Sequence, residues 1–96
     1  VFEATGQHHR AIELYMQCLN ILRQVGDSRK EARILYNVSH SYLSLERYDE
    51  SIDYLNQSLA LTDDMQTRIA VEQQLTVVRH AMIQQDEEDD DRIMNF

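Results

Sequence analysis

The residues with the richest chemistry in this 96-residue chain are four histidines, one cysteine and a block of six carboxylates. His8 and His9 are adjacent. A zinc or other metal site needs further His, Cys or carboxylate ligands at a regular spacing, and no second ligand pair lies nearby, so the pair reads as a solvated corner. Cys18 falls on an apolar helical face, at a small packing position equivalent to that of Ser58, which makes it packing material. Asp86-Glu87-Glu88-Asp89-Asp90-Asp91 lacks the alternating oxygens and turn glycine of a calcium loop. No glycine-rich phosphate loop and no nucleophile elbow occurs. The expectation is a non-catalytic chain with no metal site and no cofactor.

Composition narrows the class further. One cysteine cannot form an internal disulfide, and no apolar run reaches the ~18–20 residues of a membrane span. The net charge of −8 argues against nucleic-acid binding, which calls for a basic stripe. The acidic block alone supplies −6, so the rest of the chain is nearly neutral. Its expected form is a flexible, solvating tail over residues 85–96, with a basic partner as the functional alternative. Two glycines and no proline leave little turn material and favour long helices joined by tight corners.

Four helices follow from the apolar periodicity. The first spans about His8 to Val25, with Ala11, Ile12, Tyr15, Cys18, Leu19 and Leu22 on one face. Gly26 closes it, Asp27-Ser28 offers capping oxygens for the second, and Ser28 with Glu31 completes a capping-box pattern. That helix runs to Leu45, with Ile34, Leu35, Val38, Tyr42 and Leu45 inward. The third spans Tyr48 to Leu61, with Ile52, Leu55, Leu59 and Leu61 inward. After a Thr62-Asp63-Asp64 corner, the fourth spans Met65 to Gln84 on a Val71, Leu75, Val78 and Met82 stripe. Arg68, Glu72, Gln73, Gln74, Arg79 and Gln84 are assigned to its polar outer face. No segment alternates long enough to make a strand.

Shifting the chain by forty residues superimposes Ile12 on Ile52, Leu19 on Leu59, Leu35 on Leu75, Val38 on Val78 and His40 on His80. The first and third helices are therefore equivalent, as are the second and fourth. The middle unit, Ala32 to Leu61, resembles the tetratricopeptide repeat. Leu35 stands at that family's Trp/Leu position, Val38-Ser39 at its Leu-Gly pair and Tyr42 at its first Tyr. Ser51, Leu55 and Ser58 stand at its small, large and small positions, and Gly6, Ala11, Tyr15 and Cys18 match the second half of a preceding unit. The departures are serine for glycine or alanine, Asp63 in place of a terminal proline, and a period of forty rather than thirty-four.

The resemblance implies an all-α solenoid of antiparallel helix pairs. The expected units are 1–26, the second helix of a truncated repeat; 27–62, a complete repeat; 63–84, a capping helix; and the tail. Val1 in place of Met fits an excerpt from the C-terminal end of a longer array. The implied function is a cytoplasmic or nuclear scaffold or adaptor segment that binds a protein or peptide on the concave face, with no membrane insertion. The alternative is a structural or accessory segment of a larger regulatory protein or enzyme. Carried over by position, the partner-binding residues are Arg33, Tyr36, Asn37, His40 and Ser44, with Gln73, Thr76, Val77, His80 and Gln84 from the next helix. Asn37 is the foremost of them, because its amide both donates and accepts. Tyr36 replaces a lysine of the chaperone-tail subtype, which sets that subtype aside. His40 and His80 hold the same repeat position on the two helices and read as two independent, partly exposed histidines, with a facing pair forming a pH-sensitive rung as the sharper alternative.

Overall fold

A computed structural model describes the backbone of residues 4–94 and the side chains of residues 6–88. Residues 1–3 of the expected first unit and 95–96 of the expected tail lie outside the described residues, as do the side chains of Asp89, Asp90 and Asp91. Four helices follow one another: α1 (Ala4–Val25), α2 (Ser28–Ser44), α3 (Tyr48–Leu61) and α4 (Met65–Met94). There is no strand among the described residues. The molecule is a slab of 56 × 36 × 17 Å. That thickness accommodates two layers of helices at the usual 8–10 Å separation.

Each corner has a chemical cause. Gly26 takes a left-handed φ of +74° and ends α1. Asp27, not Ser28, caps α2: its carboxylate accepts the Lys30 backbone N–H at 3.1 Å. Ser28 is already the first helical residue, so the expected capping box does not form. Glu31 instead receives the Arg23 guanidinium of α1 at 3.0 Å. The α2–α3 corner closes with the Arg47 N–H on the Tyr42 carbonyl and the Glu46 N–H on the Leu43 carbonyl, both at 2.9 Å. This is a Schellman motif with Glu46 in its left-handed position, at φ +59°. Before α4, the Asp64 carboxylate accepts the Thr67 hydroxyl at 2.7 Å and its N–H at 3.2 Å. The Arg68 guanidinium donates to the Leu59 and Thr62 carbonyls at the end of α3.

Two apolar clusters hold the layers together. Leu19, Leu35 and Val38 gather Tyr15, Met16, Ile34, Tyr42, Tyr54 and Leu61 where α1, α2 and α3 meet. Leu55, Val71, Leu75 and Val78 gather Tyr36, Leu43, Tyr48, Ile52 and Leu59 where α3 meets α2 and α4. The recurring seam is the forty-residue period in three dimensions. The α2–α3 crossing is close because its contact residues are small. Ser51 and Ser58 are fully buried, and their hydroxyls donate to the carbonyls of Ser39 and Ala32, each at 2.8 Å. Two hydroxyls thereby bond backbone oxygens of the opposing helix, which a larger side chain would hold away.

The fourth helix differs from expectation in two respects. It does not stop at Gln84: its backbone stays helical through the acidic block to Met94. No Gly or Pro interrupts that stretch, and repulsion between neighbouring exposed charges costs only a few tenths of a kcal/mol per pair. Gln74 belongs not to the outer face but to the core side, with 8% of its surface exposed. It is one residue from Leu75 and one turn from Val71 and Val78, so the helical angle carries it inward. Its Nε2 has no hydrogen-bond partner. The outer face of α4 is mixed, with Ile69 and Ile83 exposed among Glu72, Gln73, Arg79 and Gln84.

Candidate partner-binding groove

The open face of α2 carries Arg29, Arg33, Asn37 and His40, a ladder at three- and four-residue steps. Leu35 and Val38 fix the opposite face in the core, so the ladder points away from α1 and α3. Where the first turns of α4 pass alongside α2 they leave a groove of about 480 Å³. Arg29, Arg33, Tyr36 and Asn37 form one wall. Gln66, Thr67 and Ala70 form the other, with Asp64 at one end and Val71 contributing apolar surface.

The charges in the groove are unevenly spent. Arg23, Lys30, Arg47 and Arg68 all sit in ion pairs with carboxylates of their own chain. Among the described residues, Arg29 and Arg33 make no salt bridge. The one carboxylate lining the groove, Asp64, is occupied by its own helix. The Thr67 hydroxyl, and then the Thr67 N–H, hold its carboxyl below the usual range, with Arg29 as a lesser cause. The groove therefore offers two guanidinium groups, an amide and an aromatic ring to whatever enters it. Bidentate guanidinium bonds to a carboxylate are the strong form of such contacts.

Three of the residues expected from the sequence, Arg33, Tyr36 and Asn37, line this groove. His40 is exposed one turn further along, its ring edge-on to Tyr36 at 4.7 Å. Ser44 is exposed at the end of α2. From α4, Gln73, Thr76, Val77, His80 and Gln84 are all exposed, and none lines the groove. The Thr76 hydroxyl turns back on the Glu72 carbonyl at 3.2 Å. No contact joins the His40 and His80 rings among the described residues, so the facing-pair alternative is not formed.

The α4 set lies off this groove for a geometric reason. Those residues are the forty-residue equivalents of Arg33, Tyr36, Asn37, His40 and Ser44. A groove between two parallel A helices is walled by opposite flanks, one from each. Translating the α2 wall onto α4 gives the wall of a following groove, not of this one. Gln66, Thr67 and Ala70 were findable by taking the opposite flank of α4. Arg29 was findable as the residue one turn before Arg33.

No three His, Cys, Asp or Glu side chains converge on a metal position among the described residues. No described helix is long and apolar enough to cross a membrane. In comparisons with known proteins, the family model described as tetratricopeptide repeat matches residues 1–64. No curated protein and no solved structure matches the chain.

Proposed function

The chain belongs to the tetratricopeptide repeat family, and from that premise we propose that it is a non-catalytic binding segment that holds an extended peptide in the α2–α4 groove. Repeats of this family are generally protein–protein interaction modules. The observation that carries the reading is the pair of guanidinium groups, Arg29 and Arg33, left without salt bridges beside a groove of about 480 Å³ in an otherwise acidic chain. They favour a peptide with carboxylates spaced to meet them, while the Asn37 amide takes a peptide-group N–H or C=O and Tyr36 packs on an apolar side chain.

Selection from a random peptide library tests this reading. Acidic peptides are to be enriched on the wild-type chain, and the enrichment is to vanish on an Arg29→Ala/Arg33→Ala variant. Enrichment that survives the double substitution puts the binding site elsewhere. It then favours the structural or accessory reading for this segment.

A further inference from the structure

The outer face of α4 carries a stripe with an order of its own. Met65, Ile69, Glu72, Thr76, Arg79 and Ile83 follow one another at alternating steps of four and three residues, which keeps them on one side of the helix. All six are exposed, Met65 at 70%, Ile69 at 47% and Ile83 at 55%, while Val71 and Val78 hold the far side in the core. None of the six lines the α2–α4 groove. Under the forty-residue shift, Glu72 and Arg79 stand where α2 has Ala32 and Ser39, the two residues whose carbonyls receive the serines of α3. Two long charged side chains in those places make this a different kind of surface from the α2–α3 seam.

The stripe is nearly symmetrical about Thr76. Ile69 and Ile83 each lie seven residues from it, with Glu72 four residues before and Arg79 three after. The two charges are opposite in sign but do not meet within one helix. Helical neighbours are three or four residues apart, whereas Glu72 and Arg79 are seven apart, about 10 Å along the axis. Among the described residues Arg79 makes no salt bridge, and Glu72 has only a loose contact with the Arg68 guanidinium, at 4.0 Å. The Thr76 hydroxyl already donates to the Glu72 carbonyl at 3.2 Å, so covering it strands no polar group.

We infer that this face binds the same face of a second copy of the chain, the two α4 helices running antiparallel about a two-fold axis at Thr76. Ile69 then meets the partner's Ile83, and Glu72 the partner's Arg79, each contact occurring twice as a two-fold interface requires. The charges that find no partner within one helix thereby find one in the other. A parallel pairing would set Glu72 against Glu72 and Arg79 against Arg79, and it would bring the two acidic blocks of residues 86–91 side by side. The antiparallel pairing sends those blocks to opposite ends. The contact runs about 27 Å along each helix, at ~1.5 Å per residue over residues 65–83. So narrow an interface belongs to reversible association, which exchanges between monomer and dimer rather than holding a permanent pair.

Sedimentation equilibrium over a series of chain concentrations tests the inference. The wild-type chain is expected to exchange between monomer and dimer. Glu72→Arg and Arg79→Glu each set like charges together, and each is expected to weaken the association at least about tenfold. Mixed in equal amounts, the two variants regain both opposite-charge pairs and are expected to associate as the wild type does. The doubly substituted Glu72→Arg/Arg79→Glu chain is expected to do so on its own. Restoration in the mixture rules out misfolding as the cause of the loss. A wild-type chain that stays monomeric throughout the series overturns the inference. So do single variants that associate undiminished, and so does a mixture that associates no more tightly than its components.

Discussion

The hydroxyl of Ser58 on α3 donates a 2.8 Å hydrogen bond to the main-chain carbonyl of Ala32 on α2, with both residues buried. A side-chain donor reaches the backbone of the opposing helix only if nothing larger than a serine stands between them. This bond and its partner from Ser51 to Ser39 therefore set the closeness of the α2–α3 pair. Ser58→Ala is predicted to cost about 1 kcal/mol, the usual net value of such a bond. Ser58→Leu is predicted to cost more, about 2–3 kcal/mol, because it overpacks the crossing. Urea denaturation followed by circular dichroism orders the two, and a leucine milder than the alanine would refute the packing account.

Glu46 holds φ +59° in the α2–α3 corner. A left-handed non-glycine residue costs roughly 1–2 kcal/mol, of which glycine's extra unfolded-state freedom returns about half. Glu46→Gly is therefore predicted to raise the thermal midpoint by an amount equivalent to roughly 0.5–1 kcal/mol. Glu46→Val, β-branched in the same conformation, is predicted to lower it. Equal midpoints for the two variants would contradict the strain assigned to this corner.

Gln74 is buried with an unpartnered Nε2. Replacing it with Met keeps the length of the side chain and removes the unsatisfied donor. The predicted gain is about 1–2 kcal/mol, the desolvation cost of such a group. Thermal melts of the Gln74→Met chain check this, and a lower midpoint would mean that the amide has a partner in solution.

The Asp64 carboxyl titrates below its ordinary value of 3.8, first because of the Thr67 hydroxyl and then its N–H. A group with a depressed folded-state pKa contributes its stability above the unfolded value and loses it as pH falls through the folded value. Asp64→Ala is predicted to lower the urea midpoint at pH 7 and to flatten the loss of stability below about pH 4. A pH series on both chains reads the difference. Identical acid limbs would remove Asp64 as the cap of α4.

Much of this architecture was legible in the chain before any coordinates, and the failures have specific causes. Leu35, Val38, Leu55, Val71, Leu75 and Val78 recur at helical spacing and all are buried, because periodicity records which face meets the core. The bounds of α3 were readable from Glu46-Arg47 and Thr62-Asp63-Asp64. The cap of α2 was narrowed to Asp27-Ser28 and the capping box was set on the wrong one, because both are good caps and only the backbone decides between them. The far end of α4 was misplaced because charge density was weighed above the absence of any helix breaker. The α2 wall of the groove was legible, because position within the repeat specifies the open face. The other wall depends on which flank of α4 turns toward α2, a relation between helices that no single-helix pattern records.

The groove account rests most heavily on Arg33, an exposed cation on its wall without a salt bridge. Fluorescence anisotropy of a labelled acidic peptide taken from the library selection, titrated with wild-type and Arg33→Glu chains at two salt concentrations, tests it directly. The account predicts affinity at least about tenfold weaker for the Arg33→Glu chain at low salt, and a wild-type affinity that falls as salt rises. Equal affinity of the two chains at low salt would contradict it.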